Sequence, residues 1–327
     1  MPSQILFLIF LFFSSCSYAF GQSIPQIIFD TDMGPDYDDV GALAVLHALA
    51  AKGECDILAT ISSNGHPTAA PTIEVINRYF GMPDVPIGVP GSHAPDFTAD
   101  NGWNDSLITR FLPALKTNAD YPSAVKLYRK ILAEMPDSSV TIVTVGFMSN
   151  LAELLRSGPD QYSTLPGRDL VQRKVKKYVA MAGAFPQGRE FNVFTDVPSS
   201  REVFHNWPGE ILFSGFEIGS RIFTGKKTAQ SEVQNSPVQW AYQYCLDTFE
   251  GKKVEGRPSW DQVTVLCAIR PAEQYFYVNG PGRFVVDDSG DNHWKPEKDG
   301  SHFFIGHKYP YEHIENIIEE LMMYNPG

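Results

Sequence analysis

The sequence predicts an α/β fold: a mostly parallel sheet flanked by helices, with a small antiparallel addition near the C-terminus. Three observations carry this. Strand and helix signals alternate from Gln26 onward, and strands separated by helices imply right-handed crossovers into a parallel sheet. Residues 56–62 and 140–145 are short apolar or β-branched runs, the pattern of strands buried on both faces. The last third changes character, with two helical stretches followed by strand-like segments separated by a polar loop.

In order, the apolar run 26–29 reads as the first strand and 40–50 as the helix after it. Residues 56–62 read as a strand. Residues 72–80 read as a helix closed by Gly81 and Pro83. A short strand is expected at 85–89. The stretch 90–120 is rich in Gly, Pro, Asn and Asp, with Trp103 and a short helix near Leu107, and reads as a long functional loop. A helix at 123–135 leads to the strand 140–145 and a helix near 150–155. Strands are expected at 177–182 and 210–214, and helices at 237–249 and 260–269. Residues 275–286 and 302–305 read as antiparallel strands joined by a polar loop over 287–300, and 309–323 as a closing amphipathic helix. No internal repeat or linker divides 23–327, which reads as one domain.

The chain has 327 residues, 43% apolar and 20% charged, with a formal charge of -12. This suits a globular protein, and the acidic balance argues against nonspecific nucleic-acid binding. Residues 5–13 form an apolar run too short to span a membrane. It suits the core of a signal peptide over 1–22, although no Lys or Arg precedes it. A secreted or periplasmic protein is expected, with a lipoprotein anchored through Cys16 as the alternative. Removing the signal leaves Cys55, Cys245 and Cys267, which is no disulfide framework.

Five carboxylates (Asp30, Asp32, Asp36, Asp38 and Asp39) fall on the turn between the first strand and helix. Close like charges raise one another's pKa, and a hard divalent cation with oxygen ligands is the simplest compensation. Asp32 and Asp39 can reach one cation from opposite ends of the loop, with Gly34 relieving the backbone. Asp38 points elsewhere and could hold a substrate hydroxyl. The turn, Asn64, Gly146 and Asn192 all follow predicted strands, so they can converge at the carboxyl ends of a parallel sheet.

The turn resembles the N-terminal fingerprint of the inosine-uridine preferring nucleoside hydrolase family. The resemblance continues in order through residues 144–152, 181–185, Glu190-Phe191-Asn192 and Asp261. It implies an open Rossmann-like sheet, a bound Ca²⁺ and hydrolysis of the N-glycosidic bond of ribonucleosides. By position, Asp32, Asp39, Asp261 and the Val145 carbonyl would bind calcium, with Asp32 as general base toward a metal-activated water. Asp38 would hold a ribose hydroxyl, and Glu190 and Asn192 would grip the sugar. Asn64, in competition with His66, matches a substrate-binding asparagine. Asp30 and Asp36 would support the loop. The partner implied is a small ribonucleoside, with a homo-oligomer possible.

Two departures stand out. Trp260 occupies the position where many members carry a His that protonates the departing base; indole cannot do that but can stack on the base. Arg189 stands near a usual sugar-binding Asn and could pair with an acid or bind an anionic substituent. Two rival readings remain at this level. A haloacid dehalogenase-like phosphatase also opens with Asp-x-Asp, and a secreted nucleoside- or sugar-binding protein could keep the metal without catalysis. The run 287–292 has calcium-loop composition but the wrong spacing, and reads as a turn.

Overall fold

The computed structural model describes residues 24–250 and 255–327. The expected signal peptide and Cys16 lie outside the described residues. Among the described residues twelve strands are β1 Gln26–Thr31, β2 Asp56–Ser62, β3 Ile87–Gly88, β4 Val140–Thr144, β5 Val175–Met181, β6 Gln187–Gly188, β7 Ile211–Ser214, β8 Phe223–Thr224, β9 Arg257–Pro258, β10 Tyr277–Val286, β11 Asn292–Pro296 and β12 His302–Gly306. Ten form one sheet in the order β3-β2-β1-β4-β5-β7-β12-β10-β11-β6, and β8 and β9 pair separately. Every pairing from β3 to β12 is parallel, and β10, β11 and β6 continue the sheet antiparallel. This is the open Rossmann-like sheet with an antiparallel C-terminal addition.

Alternation along β1 explains the layers. Ile27 and Phe29 enter one apolar core and Ile28 the other, because successive strand side chains face opposite ways. The first core holds the helix Asp38–Ala51, buried from Asp38 to Leu49 and packed against Trp260–Ile269 and Glu312–Met322. The second holds Ala124–Glu134, Ser149–Arg156 and Val197–Asn206. Cys55, Cys245 and Cys267 are buried free thiols. Among the described residues no helix is long and apolar enough to cross a membrane.

The main departures from expectation are helices Gly167–Lys174 and Val197–Asn206 and strand β11. The first buries only Gly167, Leu170 and Val171 on a charged background, so its apolar period is faint. The second opens Val197-Pro198-Ser199-Ser200, turn-like in composition, but Asp196 caps it and Pro198 occupies its first turn, where proline is tolerated. β11 lies inside the expected polar loop. It is held by pairing with β10 and β6 rather than by its own apolarity. The strand order reverses between β1 and β4, and a crevice at such a reversal, beyond the carboxyl ends, is the usual ligand position.

Candidate active site

The acidic turn leaves β1 at that crevice. Asp38 and Asp39 enter the first turn of the following helix, where the helix dipole favours negative charge. Gly34 turns the loop at φ +148°, and a Cβ there would lie 2.8 Å from Asn64 Nδ2. Gly146, just past β4, packs against the backbone of Asp32, and a Cβ on it would lie 2.6 Å from Ser63 Oγ. The glycine therefore lets the β4 loop reach the turn. Beneath them Asp30 is buried and accepts from Tyr128 Oη at 2.9 Å and Asn150 Nδ2 at 3.0 Å. Burial pushes its carboxyl up to about 7 against these hydrogen bonds.

A cavity of ≈ 140 Å³ opens above the turn. Asp32, Asp38, Asp261, Glu190, Asn192 and Val145 form its polar lining, and Met181, Phe191, Phe216 and Trp260 its apolar lining. Asp36 and Arg257 complete it. Asp32, Asp38 and Asp261 are 6%, 2% and 4% exposed, and Asp39, adjoining them, is 0%. Burial, reinforced by their mutual repulsion, raises all four pKa values well above the carboxylate range.

The residues fit a hard cation. Asp39 Oδ1 accepts from the Thr31 hydroxyl, while its buried Oδ2 has no partner. The Val145 carbonyl accepts only a long bond from Asn192 Nδ2, 3.4 Å. The one cationic side chain among the described lining residues is Arg257. Among the described residues, carboxylate oxygens of Asp36, Asp38 and Asp39 lie within 4.8 Å of one another. That differs from the expected Asp32, Asp39 and Asp261 set, and Arg257 accounts for it: its guanidinium lies 2.5 Å from Asp36 Oδ2 and 3.6 Å from Asp38 Oδ1. Asp36 is therefore on the cavity wall and not merely a loop support.

Asn64 does not line the cavity. It is fully buried; its Nδ2 donates to the carbonyls of Asp32 (2.9 Å) and Phe97 (2.7 Å), and its Oδ1 accepts from the amides of His66 (3.0 Å) and Phe97 (3.1 Å). It ties the acidic turn to the 90–120 loop, a scaffold role. Glu190 lines the cavity, but its carboxylate also caps a helix, accepting from the amides of Asn192 (2.8 Å), Gly183 (3.0 Å) and Val193 (3.3 Å). Burial outweighs those bonds and lifts its pKa to about 7. Trp260 donates its indole N–H to the Phe216 carbonyl at 2.8 Å and stacks on the Phe216 ring at 5.3 Å. Arg189 turns away, to Ser289 and Asp291 on the 287–291 turn.

The sequence profile described as "Inosine-uridine preferring nucleoside hydrolase" matches residues 27–302. The chain belongs to the inosine-uridine preferring nucleoside hydrolase family. It is therefore an N-glycosyl hydrolase by family, and the phosphatase reading of Asp30-Thr31-Asp32 falls away. Among relatives of this nucleoside hydrolase, the pyrimidine-specific ribonucleoside hydrolase RihA of Citrobacter koseri is 30% identical over 286 residues, covering 79% of this chain and 85% of the relative. The fold is shared with two solved structures. The Inosine-Guanosine Nucleoside Hydrolase (IG-NH) has a TM-score of 0.70 at 19% identity, covering 92% of this chain and 99% of that one. The Purine-Preferring Ribonucleoside Hydrolase from Gardnerella vaginalis has a TM-score of 0.68 at 16% identity, covering 91% and 99%.

Sequence reasoning missed Arg257 and Phe216 in this nucleoside hydrolase site. Arg257 sits in Gly256-Arg257-Pro258, a context that reads as a turn, and only its three-dimensional pairing with Asp36 and Glu250 marks it. Phe216 begins a four-residue helix after β7 and carried no pattern.

Proposed function

We propose that the chain is a calcium-dependent ribonucleoside hydrolase releasing free base and ribose. The observation that carries this is the meeting of Asp32, Asp38, Asp261, Glu190 and Asn192 on one cavity, with the uncommitted Asp39 Oδ2 beside it. Asp32, Asp39, Asp261 and the Val145 carbonyl would hold the ion, an all-oxygen donor set of the kind calcium prefers. Bound there, calcium supplies Lewis acidity to the attacking water and neutralises the carboxylates. Asp32 takes the water's proton as general base. Asp38 holds a ribose hydroxyl, and Asn192 and Glu190 bind the sugar from the opposite wall. The carboxylates also favour the positive charge that develops on the sugar as the base departs. Water attacks directly, so the product is ribose inverted at the anomeric carbon.

The test is base release from a panel of purine, pyrimidine and nicotinamide ribosides, with calcium present and with chelator. Release that needs calcium and is abolished in Asp32→Ala supports the proposal. Ion binding with no release from any riboside would favour the binding-protein alternative. Export through the 1–22 segment belongs to the same proposal, supported by its apolar run, with a Cys16 anchor as the alternative. N-terminal sequencing and lipid labelling of the protein from its native host distinguish them.

A further inference from the structure

Breaking the C1′–N bond sends its electron pair to the base nitrogen. Water supplies the hydroxyl to C1′, its proton goes to Asp32, and the base departs with added negative charge until solvent protonates it. Something at the base end of the cavity must meet that charge. Position 260 offers no proton, because its indole N–H is given to the Phe216 carbonyl at 2.8 Å. No His, Lys or Tyr lines the cavity among the described residues.

Arg257 is there instead. It lies on the cavity wall, 8% exposed, and its guanidinium carbon is 5.2 Å from the centroid of the Trp260 ring. One terminal nitrogen bonds Asp36 Oδ2 at 2.5 Å and the other Glu250 Oε1 at 2.6 Å. Each terminal nitrogen carries two N–H groups, so each retains one. The buried Nε–H has no hydrogen-bond partner, with Asp38 Oδ1 at 3.6 Å. Burial opposes the charge, but Asp36, Asp38 and Glu250 outweigh it and hold the group protonated. The carboxylates also fix the guanidinium plane in advance, and a cation fixed before charge develops needs no reorganisation when it does.

We propose that Arg257 is a catalytic residue that stabilises the negative charge of the departing base, in place of a proton donor at position 260. This rests on the hydrolase function proposed above. Trp260 and Phe216 supply the apolar surface on which the base lies, and Arg257 supplies the charge at its edge. Substrates with poorly leaving, neutral bases depend on it most.

The test compares Arg257→Met and Arg257→Lys with the unsubstituted enzyme, calcium present, on uridine and inosine and on p-nitrophenyl β-D-ribofuranoside, whose nitrophenolate leaves unaided. Arg257→Met lowers kcat on the two nucleosides by about 10²–10³-fold, the usual cost of losing one such group. KM changes far less, p-nitrophenyl riboside turnover falls far less, and Arg257→Lys recovers part of the nucleoside rate. Circular dichroism and melting curves establish that both variants fold. Equal losses on nucleosides and p-nitrophenyl riboside would mean that Arg257 only props the turn, and no loss on either would mean that it has no part; both overturn the inference. If the unsubstituted enzyme releases p-nitrophenol but no variant difference follows, the hydrolase function stands without it.

Discussion

Replacing Asp30 by Asn should remove a pH dependence from the stability of this protein. Asp30 is 1% exposed and its side-chain hydrogen-bond partners, Tyr128, Asn150 and Ser63, are all uncharged. Burial moves its pKa from 3.8 to about 7. A folded-state pKa above the unfolded one means that the folded chain binds the proton more tightly. The stabilisation is thus fully present below pH 3.8 and is lost as pH rises through about 7. At 1.36 kcal/mol for each tenfold in proton affinity, the swing is about 4 kcal/mol. Asn cannot titrate, so Asp30→Asn lacks that swing, although burying a new amide adds an offset at every pH. The assay is guanidinium denaturation of both proteins at pH 5, 6, 7 and 8 with calcium saturating. The unfolding free energy of the unsubstituted protein relative to the variant should fall from pH 5 to pH 7 and level off toward pH 8, the part of the swing below pH 5 lying outside this range. Parallel curves would refute the reasoning, because they would mean that Asp30 is not a desolvated, titrating carboxyl.

Chelation should lower the melting temperature, and by more at pH 8 than at pH 5, because burial and mutual repulsion make these carboxylates hold protons that compete with the ion as pH falls; scanning calorimetry with and without chelator checks this. Asp261→Asn should weaken calcium binding sharply in titration calorimetry while Asp36→Asn weakens it little, since Asp36 is committed to Arg257; the opposite order would move the ion to the Asp36, Asp38 and Asp39 group. Gly146→Ala should destabilise by about 1–3 kcal/mol through overpacking and depress kcat more than a substitution of equal cost elsewhere, because the added Cβ meets the backbone of Asp32. Asn64→Ala should lower the melting temperature with KM little changed, since its amide holds carbonyls rather than facing the cavity.

Much of the fold was legible because its parallel strands are buried on both faces. The bounds of β2 and of the helix Trp260–Ile269 match expectation to the residue. Segments whose order comes from neighbours left weak traces: β11 depends on β10 and β6, and Gly167–Lys174 buries three residues. The acidic half of the site was legible because Asp32, Asp38 and Asp39 lie on one short turn that follows a clear strand. The backbone bonds of Asn64 were not legible, because a buried asparagine that holds backbone and one that holds substrate look alike in a sequence. Arg257 was invisible because its meaning comes from Asp36, distant along the chain, and Glu250.

The helix Asp38–Ala51 is among the first elements made, yet it is enclosed by Trp260–Ile269 and Glu312–Met322, among the last. A chain emerging N-terminus first therefore presents an apolar helix that lacks its main cover until synthesis is nearly complete. Such long-range pairing slows folding and exposes the intermediate to aggregation. It also makes the carboxylate cluster incomplete until Asp261 arrives. A cation held by that cluster would therefore bind last and reward only the finished chain, so truncated products would lack both its stabilisation and the complete carboxylate set.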